Sequence, residues 1–251
     1  MRKYALSLAL VLVVFTSAAA QKTDPPKSGS DAKSEASTIP APPPITDKST
    51  PMELAKAALA AMGGDNFKKL KSSYVTGTVT LYAPNSTQSQ PGTFAIAQAG
   101  VKVRVDIVSP VIVFKQIYDG QQSFSTIPGI EIPAPSKFGL PVLAKFEQAG
   151  YTVSAIPDKK KLRGFRIVDS EGNTTDYYID LTNARISECV IPYQGYTFGS
   201  TFSKFREVDG VLMPANFTQR FEMPGGAYFA EYKAKDMKLN GPISDDVFLI
   251  Q

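Results

Sequence analysis

The side chains that most often carry out catalysis or hold metal ions are scarce in this sequence. The chain has 251 residues, no histidine and one cysteine, Cys189. Histidine is a common general base and metal ligand, and its absence excludes Ser-His-Asp and Cys-His nucleophile pairs. One cysteine can form neither an internal disulfide nor a thiolate metal site. Cys189 lies in an apolar strand pattern, which favours a buried small hydrophobe over a reactive thiol.

One group of oxygen-bearing side chains suggests calcium at first sight. Asp169, Glu171, Asn173 and Asp176 lie close together in the sequence, but their order does not match an EF-hand loop. The pattern favours a plain polar turn over residues 170–173. A carboxylate pair for glycoside hydrolysis remains open, although nothing in the sequence singles out such a pair. We therefore expect a protein that is not an enzyme and that has no metal and no cofactor.

The sequence has one cluster of basic residues, formed by Lys159, Lys160, Lys161, Arg163 and Arg166. Such a cluster attracts anionic lipid headgroups or an acidic protein partner in some proteins. It is also typical of a solvated turn followed by a strand edge that charge protects from pairing with another chain. The sequence leaves both interpretations open.

The first twenty residues have the organisation of an export signal. Arg2 and Lys3 provide a positive start, an apolar run covers residues 5–15, and residues 18–20 fit a small-residue cleavage site. The apolar run is too short to span a bilayer comfortably. We therefore expect a signal peptide over residues 1–20, cleavage before Gln21 and secretion to the periplasm. Loss of the two cations lowers the net charge from +4 to +2, which is too weak to indicate nucleic acid as a partner.

Residues 21–50 have the composition of a disordered linker rich in Pro, Ser and Lys. The segment contains six prolines and no aromatic residue, so it has little apolar surface to offset its chain entropy. It is either an unselective tether or a docking segment for a proline-binding partner. We expect that deleting residues 21–48 changes the stability little. Residues 51–251 leave about 200 residues, enough for one domain with a substantial core.

Helical patterns occur at three places in this domain. Residues 50–53 have the form of a capping box with proline at the first helical position. The helix that they start should end at the glycine pair 63–64. A short second helix is predicted over residues 65–70. A third helix is predicted over residues 141–149, where Val142, Leu143 and Phe146 are apolar.

Alternating apolar and polar residues predict strands over most of the remaining chain. In residues 101–107 four β-branched side chains share one face, and charged side chains share the other. Residues 162–168 and 196–208 are also predicted strands, and residues 202–217 indicate two antiparallel strands joined by a tight turn at Asp209-Gly210. We predict an α+β fold with one large curved antiparallel sheet of about eleven strands, an open half-barrel whose concave face is covered by helices.

This order of elements resembles the periplasmic lipoprotein-carrier superfamily of bacteria, the LolA/LolB-like fold, over residues 52–250. The resemblance rests on the leading helix ending in Gly63-Gly64, the strand pair around residues 101–107, Tyr118-Asp119-Gly120 followed by Phe124, Tyr178-Ile179-Asp180 and Asp245-Asp246-Val247-Phe248. Members are open half-barrels with a helical lid. The resemblance therefore implies a hydrophobic cavity that shields lipoprotein acyl chains or free lipids from water. Relatives include glycolipid binders and periplasmic stress sensors.

One departure from the family concerns the lid. Lipoprotein carriers use an arginine just before the strand equivalent to residues 101–107 to hold the lid shut. Here that stretch reads Gln98-Ala99-Gly100, and Arg104 lies further into the strand. The resemblance therefore supports lipid binding better than it supports lipoprotein transfer.

The strand pattern also predicts which side chains line the cavity. The β-branched face of one strand should meet apolar residues of the neighbouring strands and of the third helix. The residues predicted to line the cavity are Val101, Val103, Val105, Ile107, Val111, Val113, Ile117, Phe124, Val142 and Phe146. Residues 127–140, which are apolar but broken by prolines, form either a mobile flap that contacts the ligand or a packed loop.

These expectations define one leading function and one alternative. The leading prediction is a monomeric periplasmic carrier or binder of lipoprotein acyl chains or lipids, with a role in outer-membrane biogenesis and transport. Its partners would be those acyl chains and an envelope membrane or protein, and not nucleic acid. The alternative is a cell-envelope protein-interaction or stress-sensing module with the same fold and no lipid transport. A large apolar cavity favours the first function, and a filled core with an exposed groove favours the second.

Overall fold

The computed structural model describes residues 37–127, 131–223 and 226–250. The predicted signal peptide and residues 21–36 of the predicted linker lie outside the described residues. The α-helices of the described part are α1 (Pro51–Ala61), α2 (Asp65–Lys68) and α3 (Leu140–Leu143). Its strands are β1 (Ser72–Tyr82), β2 (Ser89–Ala99), β3 (Lys102–Val108), β4 (Val113–Tyr118), β5 (Ser123–Ser125), β6 (Thr152–Ala155), β7 (Leu162–Val168), β8 (Thr174–Asp180), β9 (Ile186–Tyr193), β10 (Tyr196–Val208), β11 (Val211–Met223) and β12 (Gly226–Leu239). Two 3₁₀-helices cover Pro135–Lys137 and Asp245–Phe248.

The described strands form one sheet with the order β5-β4-β3-β2-β1-β12-β11-β10-β9-β8-β7-β6. Every neighbouring pair is antiparallel. The two edge strands, β5 and β6, do not pair with each other in the described part, so the sheet stays open. The predicted open half-barrel is confirmed, with twelve strands in place of about eleven.

Tight turns between the long strands follow from local sequence. Asp209 and Gly210 join β10 to β11 and have φ angles of 50° and 71°, and Gln194 and Gly195 join β9 to β10 with φ angles of 48° and 80°. A two-residue hairpin turn with both φ angles positive matches the right-handed twist of the strands that it connects. Glycine adopts this conformation without a steric penalty, which is why each turn carries one.

Helix α1 begins at the predicted capping box. The hydroxyl of Thr50 accepts a hydrogen bond from the backbone N–H of Glu53, and the Glu53 carboxylate accepts one from the backbone N–H of Thr50. These two bonds satisfy donors that the first helical turn otherwise leaves unpaired. The helix packs against β6 and β7 and buries Leu54, Ala58 and Leu59.

The third helix is shorter than the sequence predicts. The α-helical part ends at Leu143, and the chain from residue 144 to residue 150 forms turns. Two backbone hydrogen bonds there, from Lys145 to Val142 and from Gln148 to Lys145, span three residues as in a 3₁₀-helix. Since a single short helix gains little from its own hydrogen bonds, packing decides its length.

Two apolar clusters lie on the same face of the sheet, which we call the inner face. The first cluster joins α1 and α3 to β7, β8 and β9, so these helices cover one part of the inner face. The second cluster is centred on Phe94, Phe217 and Tyr232 of β2, β11 and β12. The rings of Phe217 and Tyr232 stack with centroids 4.5 Å apart, and Phe94 meets Tyr232 edge-on at 5.0 Å.

Part of the predicted linker contacts the folded domain. Ile45 is partly buried against the first cluster. The guanidinium of Arg163, on β7, donates hydrogen bonds to the carbonyl oxygens of Thr46 and Ser49, the second at 3.2 Å. The chain just before α1 therefore packs on the domain at these points, where the composition alone predicts a linker.

Candidate ligand-binding cavity

A cavity of about 510 Å³ lies on the inner face, where the two clusters meet. Strands β1 to β4 and β9 to β11 form its wall, and α2, α3 and residues 132–139 close over it. The apolar residues that line it are Phe67, Leu70, Val75, Ile96, Val101, Val103, Val105, Phe114, Ile132, Phe138, Leu140, Ala144, Cys189, Ile191, Phe198, Phe202, Met213, Phe217 and Phe221. Its volume lies within the range of about 300–1,000 Å³ that is usual for small-molecule sites.

The wall has few polar side chains, and one of them holds residues 132–139 in place over the cavity. Gln116 of β4 is buried and donates a hydrogen bond of 2.9 Å to the carbonyl oxygen of Pro133. Its strand partner is Val105 of β3, so Gln116 and Val105 share a face. A buried amide that is paired in this way fixes the chain that crosses above it, because breaking the bond would leave both groups unsatisfied.

The described part of residues 127–140 is packed against the sheet. Ile132 and Phe138 are buried, and Glu131 accepts hydrogen bonds from the hydroxyl of Tyr193 at 2.7 Å and from the amide of Gln194 at 2.8 Å. These two bonds hold the pKa of Glu131 below its ordinary value. Burial, with the hydrogen bond to Glu131, raises the pKa of Tyr193 to about 12. Of the two sequence-based interpretations, this structure has the packed loop, and the loop lines the cavity.

The chain just before α3 is tied to β8. The hydroxyl of Tyr177 donates a hydrogen bond of 2.6 Å to the carbonyl oxygen of Gly139, and the backbone N–H of Gly139 donates one of 3.1 Å to the hydroxyl of Thr175. Burial raises the pKa of Tyr177 well above its ordinary value, so this side chain stays a donor. Gly139 itself lines the cavity, and these bonds therefore position one of its walls.

Three of the residues predicted to line the cavity do so in the structure. Val101, Val103 and Val105 all belong to the lining. Val103 is 3% exposed, Val105 is partly buried and Val101, just before β3, is 48% exposed. The alternation of the sequence brings these three side chains to the inner face.

Three other predicted residues lie inside the core and do not belong to the lining. Ile107 is buried in the second cluster, while Val142 and Phe146 are buried in the first. They contribute to the packing of the core and not to the surface of the cavity.

The remaining four predicted residues do not line the cavity either. Ile117 pairs with Arg104, Phe124 pairs with Ile117, and Val113 pairs with Val108. Directly paired residues of antiparallel strands share a face, so these side chains lie opposite Val103 and Val105, on what we call the outer face. Val111 lies in the β3–β4 turn, and both Val111 and Val113 are 65% exposed.

Several lining residues were missed by the sequence analysis. They include Phe198, Ser200 and Phe202, which alternate along β10, and Lys145, which follows α3. The two-residue spacing on β10 was a usable signal, since alternate residues of a strand share a face. Nothing local marked Lys145, because it lies within a predicted helix among ordinary surface charges.

The arginine of β3 does not take the place of the missing family arginine. Arg104 lies on the outer face and donates hydrogen bonds of 2.6 and 3.1 Å to Asp106, and one of 3.1 Å to the carbonyl oxygen of Val247. Its side chain therefore ties the C-terminal 3₁₀-helix to the back of the sheet and does not contact the cavity.

Most of the basic cluster is neutralised within the fold. Lys159 pairs with Glu188 at 2.9 Å, and Arg166 forms two hydrogen bonds with Asp176 at 2.6 and 2.8 Å. Arg163 lies 3.0 Å from an Asp158 oxygen, besides its bonds to the chain before α1. These pairs favour a structural role for the cluster over attraction of an anionic partner.

No group of three or more His, Cys, Asp or Glu side chains in the described part of the chain could hold a metal ion. No helix among the residues with described structure is long and apolar enough to cross a membrane.

These features define an open antiparallel half-barrel with an internal apolar cavity. A LolA superfamily protein of Nitrosomonas europaea has this fold: it is 13% identical, the match covers 77% of this chain and 97% of that chain, and the TM-score is 0.50. At this identity the likeness establishes the fold, and the resemblance predicted from the sequence is confirmed at that level.

Two further solved structures are similar. A DUF1329 family protein of Desulfovibrio piger is 12% identical over 80% of this chain and 98% of that one, with a TM-score of 0.48. A domain described as an outer membrane lipoprotein-sorting protein, from Vibrio parahaemolyticus, is 13% identical over 78% and 95%, also with a TM-score of 0.48. No family model matches this chain, and no curated protein matches its sequence significantly.

Proposed function

We propose that this protein is a periplasmic binder or carrier of lipids or of lipoprotein acyl chains, which occupy the inner-face cavity. The observation that carries the proposal is the apolar cavity of about 510 Å³ that lies between the sheet, the helices and residues 132–139. Burial of one methylene group is worth about 0.8 kcal/mol, so a partly enclosed chain of about ten carbons gains enough free energy to bind usefully.

A binding function without catalysis agrees with the chemistry of the cavity. Its wall is formed mainly by aromatic and aliphatic side chains, and Cys189 is the one thiol among its described residues. Burial raises the pKa of that thiol, which keeps it in the unreactive neutral form. The cavity thus offers an apolar ligand shelter from water.

The test of this function places a charge in the wall. A fluorescent fatty acid should bind the wild-type protein, and Val105→Asp should weaken binding by at least about tenfold, because it places a carboxylate among the apolar side chains that contact the acyl chain. Val113→Asp is the matched control: it makes the same change on the neighbouring strand, at a position that is 65% exposed on the outer face. Binding is measured by fluorescence titration, after circular dichroism has shown that each variant is folded.

Two outcomes would contradict the proposal at different levels. If folded Val105→Asp binds the probe as well as the wild type, the ligand does not occupy this cavity. If the wild type binds no lipid probe, the interaction or stress-sensing module becomes the better hypothesis. A bound ligand should also raise the melting temperature, since anything that binds only the folded state stabilises it.

A further inference from the structure

The charged residues that line the cavity, in the described part of the chain, are all cationic. Its described lining contains Lys68, Lys145 and Arg220, and no aspartate or glutamate. A site for a neutral lipid does not need an excess of cations, and a site for a cationic ligand would have an excess of anionic side chains. The excess of cations therefore bears on the charge of the ligand's polar end.

Two of the three cations already have partners in the fold. Lys68, at the end of α2, forms an ion pair with Glu147. Arg220 of β11 forms an ion pair with Glu222, and its guanidinium lies 5.8 Å from the centre of the Phe229 ring. Neither side chain is left with its charge uncompensated.

Lys145 differs from both. Its side chain is partly buried, and within the described residues it has no carboxylate within 4.0 Å of its ammonium group. Its neighbours Ala144 and Gln148 line the cavity as well, so the charge lies where the turns after α3 meet the apolar wall. The nearest carboxylate in the sequence, Glu147, is engaged by Lys68.

We propose that the cavity selects amphiphiles with an anionic headgroup, whose phosphate or carboxylate pairs with Lys145 while the acyl chain occupies the apolar wall. This inference rests on the proposed function and specifies its ligand class. A charge-assisted hydrogen bond is stronger than a neutral one, and partial burial reduces its screening by salt. Tight binding then requires both groups in one ligand, because the acyl chain contacts only the apolar wall and the anion contacts only Lys145.

The experiment compares two lipids with the same acyl chain and glycerol, one of which carries a phosphate group and the other a free hydroxyl in its place. Oleoyl lysophosphatidic acid and 1-oleoylglycerol are titrated below their aggregation concentrations, by displacement of a neutral fluorescent probe. The wild type should bind the phosphate lipid about tenfold more tightly, which corresponds to about 1.4 kcal/mol. Inorganic phosphate is a third ligand, included to separate a lipid headgroup from a free anion as the source of the phosphate.

Three variants assign the preference to one residue. Lys145→Met keeps the length and apolar stem of the side chain but removes the charge, and it should bring the two affinities within about twofold of each other. Lys145→Arg keeps the charge and should keep the preference. Lys161→Met is the matched control, because Lys161 is exposed near the start of β7 and does not line the cavity. It should behave as the wild type.

The possible results separate this inference from the proposed function. Equal wild-type affinity for both lipids would overturn the headgroup selection and leave lipid binding in place. A preference that persists in Lys145→Met would overturn the role of Lys145. Inorganic phosphate that displaces the probe as well as the phosphate lipid does would show an anion site without lipid selectivity. No binding of either lipid would overturn both proposals.

Discussion

Cys189 illustrates how burial sets the chemistry of a single side chain in this fold. It is 1% exposed in β9 and forms part of the cavity wall. Burial, with a smaller effect of the Glu188 carboxylate, raises the pKa of its thiol, so the residue acts as apolar surface, as its strand pattern predicts. Burial also raises the pKa of Tyr177 and of Tyr232.

These shifts predict that stability falls above about pH 9. A group whose pKa is higher in the folded state keeps its proton longer there, so its contribution is complete below the unfolded-state pKa and is lost as the pH rises toward the folded-state pKa. The ordinary pKa values are 9.0 for Cys189 and 10.0 for Tyr177. Between about pH 8 and about pH 10, Cys189→Ala should lose about 1 kcal/mol less free energy of unfolding than the wild type. Urea denaturation at both pH values measures this, and equal losses would contradict it.

At the scale of elements, register shifts bend the sheet and decide which face a residue occupies. The pairing of β1 with β12 shifts between Thr76 and Gly77, and that of β10 with β11 shifts between Phe202 and Phe205. A bulge bends its strand and increases the local twist. A Cβ added at Gly77 would lie 2.1 Å from the carbonyl oxygen of Lys233, so the close approach of β12 requires glycine there. Because alternation has a period of two, the shift between β1 and β12 also exchanges the faces of the β12 residues beyond it, whereas the two shifts between β10 and β11 cancel and restore the register.

The segment before α1 provides the prediction at this scale. Deleting residues 21–48 removes the partly buried Ile45 and the Thr46 carbonyl oxygen that Arg163 binds. It also removes Thr38, whose backbone N–H donates a 2.9 Å hydrogen bond to Glu207. We expect a loss of about 1–2 kcal/mol, or about 3–6 °C in melting temperature for a domain of this size.

The matched control for that deletion removes residues 21–36 alone and keeps the contacts just described. Melting temperatures of both truncated proteins are compared with that of the protein beginning at Gln21. An unchanged melting temperature in the longer deletion would restore the simple linker that the composition predicts.

At the scale of the molecule, the strand order explains where the cavity lies. Strands β1 to β5 and β6 to β12 are two meanders, joined in space by the pairing of β1 with β12. The described part of the chain between the edge strands β5 and β6 passes over the inner face and carries α3. A sheet of this length curls, and its two edges are linked by the segment that covers the cavity. This segment lies over the cavity because it connects two strands, β5 and β6, that lie at opposite edges of the sheet.

The whole-molecule prediction concerns export. If the first twenty residues are a signal peptide, N-terminal sequencing of the protein from a periplasmic fraction should begin at Gln21. Leu12→Arg places a charge in the apolar run and should leave the full-length chain inside the cell. Full-length wild-type protein recovered from the inner membrane would contradict the prediction.

Features with a local cause could be predicted from the sequence. The capping box of Thr50 and Glu53, the turn at Asp209 and Gly210, and the bounds of β7 and β10 depend on residues a few positions apart. Strand alternation likewise placed Val101, Val103 and Val105 on the cavity side. In each case the steric or hydrogen-bonding requirement lies within one element, so the sequence by itself determined these features.

Only the tertiary structure decided which faces meet and which charges remain without a partner. Ile117 looks like an inward-facing residue in its own strand, but its pairing with Arg104 places it on the outer face. Among the described residues Lys145 has no carboxylate partner, because Glu147, the nearest carboxylate in the sequence, pairs with Lys68. Those two residues lie 79 positions apart. Register and ion pairing link residues that are distant in sequence, and local periodicity contains no information about such links. The cavity wall and its charge therefore depend on the folded sheet as a whole.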